Sequence, residues 1–321
     1  MHPVYIFEGT CATDLYRRQL FAILDCGQDV EVRGLRTREL LDVVTIIQQP
    51  LRRPHIVPGR YANPYLALSE SLHLLAGRND VASLLPYNRR ILEFSDDGET
   101  LYGAYGYRIK DQLPNLIERL HRDPYDRRAV LAIWRPEDLT VVSKDPPCND
   151  LIIFKLRNDH LHMTVVNRSN DLHWGLYAVN VYQFSFLQEY IAARLNAAVG
   201  TQTHLSNSLH IYLEGPGARI TERMIAARFE SLPPPPPNRP LLREAEANHI
   251  SHMEFVAACS QILDNEPLSI GFPSPFLWFA LAYLRPSDPR NGGAFYPEWE
   301  AAAKEFERRP RSGRRDPARA Q

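Results

Sequence analysis

The sequence predicts an α+β fold in which helices pack on one face of a sizeable β-sheet. Two strand-like apolar runs, Leu151 to Leu156 and Leu161 to Asn167, flank Asn158-Asp159 and make the clearest hairpin of the chain. Segments of helical periodicity stand before and after it. At 321 residues and 44% apolar content there is ample material for a large core, and no break in composition divides it.

In chain order, Ala12 to Leu24 has helical periodicity and stops near Gly27. Residues 30–39 then join a turn to a strand from Leu41 to Gln48. Tyr65 to Ala76 is an apolar helix ended by Gly77, with Glu70 inside the oily stretch. Leu101 to Tyr107 is aromatic and punctuated by glycine, the mark of backbone packed closely against a neighbour. Ile109 to Leu120 is an amphipathic helix, and Ala129 to Trp134 a short buried strand. Beyond the hairpin, Val179 to Leu195 is expected to be one long helix, and Leu209 to Leu213 another strand. Pro233 to Pro237 predicts a stiff polyproline II connector within a Pro-rich surface loop over 233–240. His252 to Leu263 and Pro275 to Leu284 are further helices, the second apolar enough to be buried. From Glu307 to Gln321, six arginines and almost no apolar side chains predict a disordered tail after a single domain of residues 1–306.

Lys and Arg (37) nearly balance Asp and Glu (38), which argues against a general nucleic-acid or membrane surface. Anionic ligands must then be caught by local arginine clusters. Cys11, Cys26, Cys148 and Cys259 are scattered without metal-type spacing, and no signal peptide or apolar run of about 18 residues is present. The expectation is a reduced cytoplasmic protein without zinc or disulfides.

One succession of strands and turns concentrates the chemistry: Pro146-Pro147-Cys148, then Arg168-Ser169-Asn170-Asp171, then Asn180, then His210-Ile211-Tyr212. It assembles a thiol, a guanidinium, a carboxylate, an amide and an imidazole-phenol pair. A nucleophilic cysteine needs a lowered pKa and cationic neighbours, and Arg168 falls on the strand paired with the one that follows Cys148. His210 and Tyr212, two apart on a strand, project to one face.

This run resembles the thymidylate synthase superfamily, from about Arg33 to Tyr212. The resemblance implies a large mixed sheet whose free face forms a homodimer interface, with 5,10-methylenetetrahydrofolate and a pyrimidine nucleoside monophosphate as ligands, and neither nucleic acid nor metal required. It makes Cys148 the nucleophile that adds to C6 of the base, activating C5. Arg168 with Ser169 meets the 5′-phosphate and the thiol, and Asp171 with Gly175 meets the folate. Arg33 resembles the family's flexible phosphate-binding arginine, and Arg127-Arg128 the pair lent across the dimer to the partner's phosphate. Planar guanidinium forks suit such a dianion. Glu70 resembles the family's buried proton-passing glutamate, and Tyr105 the tyrosine that helps remove the C5 proton. His210 and Tyr212 are similar to the pair that binds the sugar 3′-hydroxyl.

Four departures stand out. Asn149 follows the cysteine where ordinary synthases have histidine, and His73 takes the place of a tryptophan. Gly175 to Asn180 is one residue longer than the family's segment, which leaves Val179 competing with Asn180 for the base edge. The C-terminus is Arg-rich where the family has a short apolar closing segment. These differences resemble the pyrimidine nucleotide C5-hydroxymethylases, among them the cytidylate hydroxymethylases of nucleoside-antibiotic pathways. The resemblance therefore implies hydroxymethylation of CMP or dCMP, although the Asn180 amide by itself suits uracil. The alternatives are a thymidylate synthase making dTMP from dUMP, and an inactive nucleotide- or RNA-binding regulator.

Overall fold

The computed structural model describes residues 4–242, 250–268, 274–284 and 296–310. Among them, eight strands form one mixed sheet: β1 Tyr5–Gly9, β2 Gln28–Val32, β3 Leu35–Ile47, β4 Val130–Ala132, β5 Asn149–Arg157, β6 His160–Asn167, β7 Asn170–Asp171 and β8 Ala198–Tyr212. The order is β1-β3-β8-β6-β5-β4, with β2 paired to β3 and β7 to β8. Alternation along the strands gives the sheet two unlike faces. Val43, Ile47, Ile152, Phe154, Met163 and Val165 are buried on one. On the other, the register Ile6–Val44–Leu205–Val166–Leu151 makes an apolar cross-strand row, of which Ile6 is 65% and Leu205 37% exposed.

The helices cover the dry face: α1 Ala12–Cys26, α2 Pro64–Leu75, α3 Tyr105–Ile109, α4 Leu113–Arg122, α5 Val181–Arg194 and α6 Gly215–Ala226, followed by His252–Leu263, Pro275–Leu284 and Pro297–Glu307. The predicted α+β architecture is thus the one observed. Asn63 caps α2 by accepting from the amides of Tyr65 and Leu66, and Pro64 at the first turn gives up no needed hydrogen bond. Gly77, at φ 65°, ends it with Arg78 N–H donating to the His73 carbonyl and Gly77 N–H to that of Leu74. Thirteen of the fourteen residues of α5 are buried, so its polar side chains need internal partners. Ser185 donates to the Tyr182 carbonyl, Gln188 to that of Leu161, and Glu189 pairs with buried Arg53. No described helix is long and apolar enough to cross a membrane.

Several boundaries differ from expectation. Residues 30–39 are a β2/β3 hairpin whose two turn residues, Arg33 (φ 53°) and Gly34 (φ 77°), both take the left-handed conformation that a two-residue hairpin turn demands. The strand expected at Leu41 is the second half of β3, and the one expected at Leu209 ends the fifteen-residue β8. The helix expected from Val179 starts at Val181, because Leu172–Asn180 is wound as a π-helix. Pro114 near the start of α4 delays the helix expected from Ile109, which belongs to α3. Glu307 ends a helix instead of beginning a tail, and residues 311–321 lie outside the described residues.

Candidate active site

Cys148 stands at the entrance to β5, where a register shift between Asn149 and Leu151 bends the strand start away from regular pairing with β6. Arg168, just past β6, clasps this corner. Its backbone N–H donates to the Cys148 carbonyl (3.1 Å), Nε to the Pro147 carbonyl (2.9 Å) and Nη2 to the Pro146 carbonyl (3.1 Å). Nη2 lies 3.9 Å from Cys148 Sγ, and the guanidinium sits over the Trp134 ring at 5.4 Å. Burial nevertheless pushes the Cys148 thiol above its usual range. Arg168 and Arg33 pull it down, while Asp145 and Asp171 push it up. The lowered thiol pKa expected from sequence is therefore not observed at Cys148, because burial of the thiol, with the Asp145 and Asp171 charges adding to it, outweighs the pull of the two guanidinium groups.

Glu70 projects from α2, half-buried, and burial together with the Asp145 charge pushes its pKa up to about 8. Tyr105 opens α3 with its ring stacked on Phe184 at 5.9 Å. Burial, then the Cys148 and Asp145 charges, hold its phenol well above the ordinary range. Two glycines allow this closeness. A Cβ on Gly106 would lie 2.3 Å from the Leu74 carbonyl oxygen of α2, and one on Gly103 would lie 2.4 Å from that of Asp145. Sequence reasoning missed Asp145, whose signal was its place three residues before the cysteine. Its Oδ2 accepts from Gly103 N–H at 2.9 Å, and burial pushes its pKa up to about 6. Asn149 is fully buried beside Tyr105, and neither of its amide atoms makes a hydrogen bond of good geometry. His73 does not present a polar group here: its Nε2 is bonded to the Asp80 carbonyl at 3.1 Å, and burial lowers its pKa to about 4.

The opposite wall comes from β7 and β8, whose register sets Asp171 beside His210. Asp171 Oδ1 accepts from the amides of His173 (2.7 Å) and Trp174 (3.2 Å), capping the π-helix. Burial raises its pKa, against the pull of His210 and those two amides. His210 and Tyr212 meet edge to face with centroids 5.5 Å apart. Arg33, at the exposed hairpin tip, is near enough for its charge to act on both Cys148 and Tyr212. Ser169 is half-buried between β6 and β7. His173, also unforeseen, is locked by Tyr16 Oη (2.7 Å) and Thr221 Oγ1 (2.8 Å), and its carbonyl accepts from Arg60.

Asn180 is buried at the far end of the π-helix. It donates from Nδ2 to Asn170 Oδ1 at 3.3 Å and accepts at Oδ1 from Gln183 Nε2 at 3.0 Å. Gly175 packs on this group, since a Cβ there would come within 2.9 Å of Asn170 Oδ1. Beside Trp174 opens a cleft of about 780 Å³ lined by Arg60, Arg89, Arg90, Arg219, Arg223 and Arg309. Arg127 and Arg128 are not brought to the site within this chain. Both are exposed before β4, and Arg128 pairs with Asp126 at 3.1 Å.

A mixed sheet carrying a cysteine clasped by an arginine, with an aspartate on the next paired strand, is the architecture of the thymidylate synthase family. The family's sequence profile matches residues 15–258, and the chain belongs to that family. It is 39% identical over 236 residues to the deoxyuridylate hydroxymethyltransferase of Bacillus phage SP01, covering 68% of this chain and 62% of that protein. The deoxyuridylate hydroxymethyltransferase of Pseudomonas phage M6 is 42% identical over 179 residues, covering 54% and 51%. A Methanosarcina barkeri protein whose name assigns it to thymidylate synthase is 32% identical over 210 residues, 64% of this chain and 89% of that one. The chain thus spans between half and two thirds of the phage proteins' length.

Proposed function

We propose that this chain transfers a one-carbon unit from 5,10-methylenetetrahydrofolate to C5 of a pyrimidine nucleoside 5′-monophosphate and releases the 5-hydroxymethyl nucleotide. The observation that carries it is Cys148 Sγ placed 3.9 Å from Arg168 Nη2, in a pocket whose other groups, Glu70, Tyr105 and Asp145, are proton carriers. Cys148 Sγ bonds to C6, and the electron pair freed from the C5–C6 double bond makes C5 the nucleophile. Glu70, protonated at neutral pH, supplies a proton to the exocyclic oxygen as charge builds there. The folate supplies carbon at the oxidation level of formaldehyde, and the residues present suit it. Asp171 meets its ring, and the arginine cleft beside Trp174 matches its carboxylates. C5 would bond to the donor's one-carbon unit as one carbon–nitrogen bond of the folate opens, and loss of the C5 proton to solvent with cleavage of the remaining carbon–nitrogen bond would release tetrahydrofolate and leave an exocyclic methylene. Water adds its oxygen to that carbon, and the C6–S bond breaks to return the thiol.

The base we assign is uracil, in place of the cytosine implied by the antibiotic-pathway resemblance. The Asn180 amide suits it, and two relatives are named for deoxyuridylate. We assign a homodimer as well, with the row Ile6, Val44, Leu205, Val166 and Leu151 covered by a second copy and Arg127 and Arg128 completing the partner's phosphate site. The synthase reading is favoured by the M. barkeri relative, of which the match covers 89%. Incubation with UMP, dUMP, CMP or dCMP plus methylenetetrahydrofolate, followed by mass analysis, decides between them. A 5-hydroxymethyl uridylate formed without dihydrofolate is expected. A 5-methyl product with dihydrofolate accumulating in step overturns hydroxymethylation.

A further inference from the structure

Four buried polar side chains form a hydrogen-bonded line in which every link donates in the same direction. Gln183 Nε2 donates to Asn180 Oδ1 (3.0 Å), Asn180 Nδ2 to Asn170 Oδ1 (3.3 Å), and Asn170 Nδ2 to Ser206 Oγ (3.1 Å). All four are at most 4% exposed, so none can exchange its partner for bulk water. The line spans four elements: Gln183 on α5, Asn180 at the end of the π-helix, Asn170 on β7 and Ser206 on β8.

The direction of such a line decides what Asn180 offers to a base. With its oxygen already receiving Gln183 and one N–H committed to Asn170, Asn180 has one N–H and one oxygen lone pair left. Turned end for end, it would offer the same two groups with their places exchanged, and uracil and cytosine differ by that exchange at positions 3 and 4. Reversal orphans no atom within the line. A hydroxyl donates or accepts equally well, so Ser206 can close it in either sense. Ser206 therefore leaves the direction to the other end of the line, where Gln183 now donates.

We propose that Gln183 is a specificity-positioning residue, which fixes the orientation of the Asn180 amide through this line and thereby sets uracil against cytosine. The inference rests on the assignment of Asn180 to the base edge. An ionised carboxylate only accepts, so Gln183→Glu should make Asn180 donate toward α5 and reverse the line. Asn170→Asp should hold Asn180 in its present sense.

The experiment measures Kd for UMP, dUMP, CMP and dCMP on the full chain and on both variants, without folate. Binding alone tests the inference separately from the reaction. The ratio of cytidylate to uridylate affinity should rise about tenfold to a hundredfold in Gln183→Glu, the consequence of exchanging one buried donor-acceptor match for a mismatch. In Asn170→Asp it should hold or fall, and that variant keeps the test open if the first one does not fold. A ratio unmoved in folded Gln183→Glu, or one that rises in folded Asn170→Asp, overturns the inference. Failure of the unaltered chain to bind any of the four nucleotides overturns the functional reading beneath it.

Discussion

Replacing Glu70 by glutamine should cost activity and return stability, with a pH signature that identifies the carboxyl. Its ordinary pKa of 4.5 rises to about 8 in the fold. Below pH 4.5 folded and unfolded chains both hold the proton, and the residue's contribution is fully present. Between 4.5 and 8 the unfolded chain ionises while the folded one keeps its proton. Stability then falls by about 1.4 kcal/mol per pH unit, to a total of up to about 5 kcal/mol. The side chain is only half-buried, which makes that figure an upper end. Glutamine has the same shape and never ionises. The variant should therefore match the parent near pH 4.5 to 5 and exceed it by several kcal/mol at pH 8, while turnover falls about 10²- to 10⁴-fold with the loss of a positioned proton donor. Urea unfolding midpoints of both proteins from pH 5 to 9 measure the first effect, and initial rates the second. A stability difference that does not change with pH would refute the assignment of a protonated Glu70.

Cys148→Ala should leave nucleotide binding largely intact and remove turnover, and substantial residual product would sink the nucleophile assignment. A chain carrying Arg127→Ala with Arg128→Ala, mixed with a Cys148→Ala chain, should regain partial activity if each site borrows arginines from the partner; a monomer by sedimentation counts against this. Asp145→Asn should speed alkylation of Cys148 above pH 6, because an ionised Asp145 raises the thiol pKa, and the gain should fade below pH 6, where Asp145 itself is protonated. Equal rates for both proteins across that range would remove Asp145 from the sulfur's surroundings.

Strong local signals survived into three dimensions. The Asn158-Asp159 turn, the helix from His252 to Leu263 and the apolar helix from Pro275 to Leu284 each rest on a few adjacent residues, and each lies where expected. Contiguity also made the Cys148 and Arg168 pairing legible, since one hairpin brings them together. What escaped depends on residues distant in sequence. β1 is a strand by pairing with β3, and β7 is two residues long and exists only against β8. Asp145 looks like a loop aspartate until Gly103 and Tyr105 fold over it. The amide line running to Gln183 joins positions up to 36 residues apart. The raised thiol pKa of Cys148 follows from burial, which no motif encodes.

Over Leu172–Asn180 the backbone winds wider than an α-helix, and the extra breadth has an angular consequence. In an α-helix each residue advances about 100°, so one additional residue would rotate every later side chain by that amount. A wide turn takes up the additional length between two fixed ends, Asp171 held at His210 and Asn180 held at Asn170. Shortening the segment by one residue would tighten it toward α geometry between the same two ends and leave α5 unrotated. Gln188 and Glu189 would then keep the Leu161 carbonyl and Arg53 as partners. The wide winding thus lets a wall of the active site hold one residue more while the phase of the central helix stays fixed.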